Sequence, residues 1–473
     1  MLSFVRMRWA MCLKNIFSVL IVFSLSIVLT VPVYSEEITP AASLLTFSEF
    51  CQKVLAYYPK IKQSGVMIET AIARRFQAAT GLMPKVVGLS SMTTSDDQVY
   101  VFGTLLRQRS FTQDDFALSH LNDPSSRTNY NIGLHAEMPL FDALKTIYKV
   151  KAAESLVASA KHDEMFTKME AILIAFDVYS HAVMLEKMIE ITDDACARSE
   201  SDIKQAEELK QKGLVLGADF YAAKVILGRL KSIRNELVQK RSGLNAVMNI
   251  LMGEAPNKQI QTVDVLKNAF AEQREMGLWL DEAYKLRPDL CSLDEVIHAQ
   301  GFELEREKMS MLPNISAFGD LNENTQDFNK GGGSFAVGIK GSMDLFDPEY
   351  FARVKISKNE LRKLELDRTI ARDAVARDIS EELAKYHAFA ANMSIMNEMS
   401  EDSKQAVALM APLYQEGRKS ILDLLETRSA YVNAYGGYFE TMLGMNNSSA
   451  RLFFLSGQLD ESKAVIAFGS EGK

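Results

Sequence analysis

The sequence is written twice, and that duplication limits the available folds more than any other feature. Pro59 and Pro84 stand 25 residues apart, as do Pro288 and Pro313. Tyr58-Pro59-Lys60-Ile61 is answered by Arg287-Pro288-Asp289-Leu290, and Met138-Pro139-Leu140-Phe141-Asp142 by Met343-Asp344-Leu345-Phe346-Asp347. Gly213, Asp219 and Gly253 keep the same mutual spacing as Gly417, Asp423 and Gly457. The offset between halves is 229 at the prolines, 205 at Phe141/Phe346 and 204 beyond, so about 24 extra residues lie in the first half between Pro84 and Phe141. A period of that size is a duplicated domain, because solenoid repeats run at about 20–50 residues.

Each half predicts the same elements in order. A helix of about 35 residues comes first, Phe47–Leu82 and Leu278–Met311. Alternating strands follow. From Asn129 to Leu140 one face carries Tyr130, Ile132, Leu134, Ala136, Met138 and Leu140, and the other Asn131, Gly133, His135 and Glu137. Phe335, Val337, Ile339, Gly341, Met343 and Leu345 repeat that pattern against Ser334, Gly338, Lys340, Ser342 and Asp344. Ten or so alternating residues is the length of a membrane-spanning strand. The partner strands, 85–94 and 314–325, alternate less well. Two very long helices come next, Ala143–Lys212 and Glu349–Gln415, each about 100 Å at 1.5 Å per residue. A glycine turn then starts a shorter helix ending at Gly253 or Gly457.

Residues 1–35 read as a secretory signal peptide: Arg6, Arg8 and Lys14 precede an apolar run from Ile16 to Val31, closed by Pro32. The run is shorter than the roughly 20 residues of a spanning helix. Glu36 is the expected mature start. The remaining domains are expected at 36–253, a linker at 254–276, the second repeat at 277–457 and a tail at 458–473. Losing the leader takes the formal charge from −8 to −11, which disfavours nucleic acid as a partner. Cys51, Cys196 and Cys291 are widely separated and odd in number, so neither a disulfide framework nor a metal site is expected. No later stretch is apolar enough to span a membrane as a helix, so a membrane form must be a barrel. Four strands per chain cannot close one; three copies give twelve.

Signal peptide, duplicated two-strand hairpins and paired long and short helices together resemble the TolC-like outer-membrane efflux family, from about Leu44 to Leu459. The most specific pieces are the proline spacing, the Leu-Phe-Asp segments and the helix tips Gly213-Leu214-Val215-Leu216-Gly217-Ala218-Asp219 and Gly417-Arg418-Lys419-Ser420-Ile421-Leu422-Asp423-Leu424-Leu425-Glu426. The resemblance implies a mainly α fold with membrane β. Duplicated coiled coils would form a periplasmic tunnel, and four strands per chain would contribute to a 12-stranded trimeric outer-membrane barrel. It implies a passive conduit and no enzyme, without cofactor, in tripartite efflux or type I secretion. The partners would be a second and third copy, outer-membrane lipid, a periplasmic adaptor and an inner-membrane pump of the RND or ABC type. By the same resemblance Asp219 and Tyr414 would latch neighbouring coiled coils, with Lys419 adding a weaker link than the bidentate arginine it replaces. Asp423 and Glu426 would ring the constriction, and Gly213, Leu214, Val215, Gly417, Arg418, Ser420 and Ile421 would dock the adaptor. Helix N-capping is the competing reading for Asp219 and Asp423.

Other motifs carry less. Lys330-Gly331-Gly332-Gly333-Ser334 precedes a strand and lacks the following helix of a phosphate loop, so it reads as a hairpin loop. His135 is placed on the wet face of a barrel strand. The 23 methionines at helical spacing read as core filler. The competing functional class is a soluble periplasmic coiled-coil adaptor without a pore. The alternating strands count against it. The extra residues of the first half, within 96–127, are expected in the first hairpin's extracellular loop, folding in part over the pore mouth.

Overall fold

The duplicated halves lay down equivalent elements, and local sequence explains where each begins and stops. The structure, a computed structural model, describes residues 43–267, 274–327 and 331–470; the expected signal peptide lies outside them. After a short strand β1 (Ser43–Leu45) come helices α1 (Phe47–Tyr57) and α2 (Pro59–Ala79), then β2 (Lys85–Ser95). The first-half insert holds α3 (Gln98–Arg107) and α4 (Leu118–Asn122) and leads into β3 (Arg127–Phe141). The long α5 (Lys145–Gln211) and the shorter α6 (Gly217–Met252) complete the half. The second half runs α7 (Met276–Leu286), α8 (Pro288–Lys308), β6 (Asn314–Thr325), β7 (Gly331–Ser342), α9 (Pro348–Gln415) and α10 (Ile421–Leu455). Between the halves lie β4 (Ile260–Thr262) and β5 (Asp264–Leu266), and the tail adds α11 (Glu461–Val465) and β8 (Phe468–Ser470).

Each expected 35-residue first helix is two helices. Pro59 and Pro288 sit at the first helical position, where the missing N–H costs nothing. A residue before proline is driven out of the α region: Tyr58 and Arg287 take ψ of 115° and 118°, and the chain bends there. The four inter-helix glycines are equally systematic. Gly213 and Gly417 adopt φ of 74° and 72°, conformations that side chains resist. Each closes a Schellman motif: Gly213 N–H donates to Lys210 O and Leu214 N–H to Leu209 O, as Gly417 does to Tyr414 and Arg418 to Leu413. Both long helices end there.

The entries to the long helices differ, despite the shared Leu-Phe-Asp. Asp347 caps α9 by accepting from Glu349 N–H at 2.9 Å, with Pro348 following. In the first half Asp142 accepts from Thr146 N–H at 2.7 Å, and Ala143 and Leu144 both turn left-handed, φ 59° and 62°. Side chains there cost roughly 1–2 kcal/mol each.

The main core lies where the short strands meet the helices. β1 pairs parallel with β4, and β5 antiparallel with β8, so linker and tail are structured together. Asp264 ties this layer to the bundle, accepting from Phe47 N–H at 2.7 Å and Tyr179 Oη at 2.8 Å. Phe468 stacks on Phe47, centroids 4.7 Å apart, and Phe176 and Tyr179 pack around them. A second buried cluster lies at the far ends of the helices, around Ile203, Phe220, Tyr414 and Leu424.

The remaining strands form one antiparallel sheet in the order β2-β3-β6-β7. β2 and β7 are its edges, with their outer hydrogen-bonding sides unpaired among the described residues. Among the described residues no helix is long and apolar enough to cross a membrane.

Candidate functional site

The sheet has a mainly apolar and a mainly polar face, because register carries the alternation of β3 across β6 to β7, while Leu89 and Phe318 fall on the polar side and Glu323 on the apolar one. Leu134 pairs with Leu321 and Leu321 with Phe335, while Ala136, Gly319 and Val337 align one step further along. Among the described residues little covers these side chains: Phe335 and Val337 are each 76% exposed. An apolar band of this kind fits lipid and is unstable in water. The opposite face carries Asn129, Asn131, His135 and Glu137 from β3 against Asn324, Asn322, Asp320 and Ser316 from β6 and Lys340 from β7. His135 Nδ1 lies 2.7 Å from Asp320 Oδ1, and Lys340 pairs with Glu137 at 2.7 Å. His135 therefore stands on the polar face, as its alternation predicts.

At the turn-end of this face the insert packs onto the sheet. Gln108 donates to Thr128 O and Asn129 Oδ1, both at 3.0 Å, and accepts from Arg127 Nε at 2.8 Å. Asn129 in turn donates to Asn324 Oδ1 at 2.9 Å, and Asn131 to the same oxygen at 3.1 Å. Gln108, Asn129 and Asn324 are only 4%, 7% and 5% exposed. The Gly331–Gly333 segment is not a hairpin loop but the start of β7. Gly332 is buried, and a Cβ there would meet Arg107 O at 1.8 Å.

At the other end of the molecule lie the helix tips. Ser420 caps α10, its Oγ accepting from Asp423 N–H while Asp423 Oδ2 accepts from Ser420 N–H, both at 3.1 Å. This capping box holds the Asp423 carboxyl below the usual carboxylate range, through Ser420's N–H and hydroxyl first and nearby Lys419 last. Glu426, one turn on, is exposed, as are Lys419, Gly213, Gly417 and Leu214. Arg418 pairs with Glu416 at 3.4 Å. Asp219 stands half-buried in the first turn of α6, where a carboxylate meets the positive end of the helix.

Three tip residues named by the resemblance are wholly or partly covered in the single chain: Tyr414, Ile421 and Val215. Tyr414 is buried and its hydroxyl has no hydrogen-bond partner, so nothing joins it to Asp219 within the chain. Burial and the nearby Asp202 carboxylate push that phenol upward. Ile421 is 1% exposed and belongs to the tip core, with the partly buried Val215 packed against it. Tyr414, Ile421 and Val215 share one physical reason: all three belong to the apolar seam between the coiled coils, while Leu214 and Leu216 stay outside it and exposed.

Sequence reading missed a largely buried ion pair near the tips. Arg428 on α10 pairs with Asp202 on α5, their side chains 7% and 16% exposed, and donates to Ser199 Oγ at 3.3 Å. The pair bridges the first-half and second-half coiled coils. A signal exists, since Leu424, Arg428 and Val432 share one helical stripe and the middle position breaks an apolar seam.

Residues 279–458 match the family described as outer membrane efflux protein. No curated protein matches the chain closely. The Campylobacter jejuni CmeC outer membrane channel is similar in structure, with TM-score 0.72 at 16% identity over 88% of this chain and 87% of that one. CusC gives 0.71 at 13%, covering 87% and 92%. The open-state Neisseria gonorrhoeae MtrE outer membrane channel gives 0.67 at 14%, covering 88% and 89%. Residues 279–458 thus form an outer membrane efflux protein domain, and the chain around them carries the fold of the outer-membrane efflux channels.

Proposed function

We propose that this chain is the outer-membrane channel component of a tripartite export system, conducting solutes passively from an inner-membrane pump and periplasmic adaptor across the periplasm and outer membrane. The observation that carries the reading is the two-faced sheet with both edges unpaired. Lipid tolerates no open edge, and an uncovered apolar band would be costly in water. Three copies joined edge to edge, β7 to the next β2, close twelve strands around the polar face. Uncovered apolar residues on α2 (Val66, Phe76) and α9 (Phe351, Ile370) supply further surface for that assembly. An adaptor without a pore leaves this band unexplained.

The constriction is assigned to the tips, where Asp423 and Glu426 from three chains contribute six carboxylates. Exposed Leu214, Leu216 and Arg418 offer the adaptor surface. Asp219 and Tyr414, with Lys419, are kept as the latch between neighbouring coiled coils, and Asp202–Arg428 ties the first-half and second-half coiled coils of one chain beside it. An RND or ABC pump would serve equally, and cross-linking in cells identifies which.

The test is the purified protein in detergent and in planar bilayers. A heat-modifiable trimer with low, cation-selective resting conductance, blocked by divalent ions from the periplasmic side, is expected. Asp423→Asn with Glu426→Gln removes the charges while an amide oxygen still caps, and should abolish the block without affecting trimerisation. A monodisperse, detergent-free monomer refutes the channel.

A further inference from the structure

We propose that the first-half insert, residues 96–126, is a docked constriction inside the barrel mouth that sets the size of solute able to pass, with Gly332 as the notch that receives it. The inference rests on the channel reading above. Register decides which face the insert occupies. Gly332 pairs with Asn324 and Asn324 with Asn131, so all three lie on the polar face, opposite Ile132 and Phe335. That face lines the lumen of a closed barrel. The C-terminal end of α3 sits directly on it, since Arg107 O occupies the space a Gly332 side chain would need.

Three further contacts fix the insert there. Arg109 Nη2 donates to Gly333 O at 2.9 Å, reaching from the first hairpin to the last strand. Gln108 covers Asn129, and Val101 and Thr104 of α3 are buried with it. Beneath it Asn129 and Asn324 are buried, and the Asn324 oxygen accepts from both Asn129 and the half-buried Asn131, so these amides bond to one another where an open pore would leave them to water. An extracellular loop that merely connected strands would leave these side chains wet. The equivalent turn of the second half, between β6 and β7, is only 326–330 long, so the insert is not needed to join strands. Three copies bring three such segments to one mouth, and pore diameter is what selects among solutes.

The experiment places a thiol below the insert. Ala336 is on the polar face opposite Asp320, four residues deeper than Gly332, about 13 Å along the strand. The Ala336→Cys chain, with Cys291→Ser, is labelled on intact cells with a small charged maleimide and with one carrying a bulky polyethylene-glycol chain. The second background replaces residues 96–126 by Asn-Gly, a two-residue turn that suits the Ser95–Arg127 pair. Gly332→Val gives a third background with every loop residue intact; its backbone φ is ordinary, so only space opposes the side chain. With the insert docked, the small reagent labels and the bulky one does not. In both altered backgrounds the bulky-to-small rate ratio should rise at least about tenfold, as expected when a pore widens. Equal bulky labelling in all three overturns the constriction and leaves the channel standing. Failure of the small reagent in the shortened trimer overturns both, because the polar face would then not be an external aqueous lumen.

Discussion

Replacing Arg428 by alanine removes the cationic half of a pair whose side chains are 7% and 16% exposed. Asp202 is left inside the coiled-coil seam, facing Ser199, which loses its guanidinium donor, and the unpartnered Tyr414 hydroxyl. Removing one partner of a buried pair costs about 3–5 kcal/mol, most of it the stranded charge. The lower end applies here, because Asp202 keeps some water contact and the Tyr414 hydroxyl is free to turn toward it. A loss of about 3 kcal/mol raises local opening roughly 150-fold. Amide hydrogen exchange of the assembled channel, resolved to α5 near Ser199 and α10 near Leu425, reads that opening directly, with the distant core as internal control. Arg428→Met with Asp202→Leu should restore most of the protection, since an apolar pair of similar volume replaces a buried ion pair at little cost. Resting conductance should follow exchange, rising in the single variant and returning in the double. Exchange in Arg428→Ala within about threefold of the parent would place the pair among exposed ones worth under about 1 kcal/mol. A double variant as loose as the single would mean that volume, and not stranded charge, dominates.

Three smaller perturbations follow from the same geometry. Gly417→Ala meets nothing within 4 Å, so its cost is the left-handed backbone alone, about 1 kcal/mol. Exchange in the last turn of α9 should quicken about fivefold, and an unchanged rate refutes the assignment. Leu144→Gly relieves a left-handed leucine and should stabilise the start of α5 by about 1 kcal/mol, read as slower exchange at Thr146–Tyr148. For Asp423 the folded carboxyl lies below its usual range, so its contribution is present above the unfolded value near 3.9 and disappears as pH falls through the depressed one. Protection of the first turn of α10, corrected for intrinsic exchange, should hold from pH 7 to about 4 and drop below. Asp423→Asn should flatten that dependence, and a loss already complete at pH 6 would contradict it.

Most of the architecture was legible in the chain itself. Period-two alternation in β3 and β7, the paired prolines and the four helix-end glycines are local signals, each forced by backbone sterics or by one sheet face meeting a different solvent. These set the faces of β3 and β7 and the ends of the two long helices and the shorter helices after them to within a few residues. The bends at Tyr58 and Arg287 were also local, readable from proline's effect on its predecessor, though the expected helices ran through them. Tertiary packing decided the rest. Nothing local pairs β1 with β4 or β5 with β8, since three-residue strands carry no periodicity and gain stability only from the aromatic core they cover. Tyr414 and Ile421 look like surface residues beside a glycine turn. Both are drawn inward because the seam between two coiled coils must be filled on both sides. Gly332 reads as one glycine among three until the insert lies on it. Arg428 and Asp202 are 226 residues apart in the chain, and two charges at that separation find each other only once the duplicated halves have packed together.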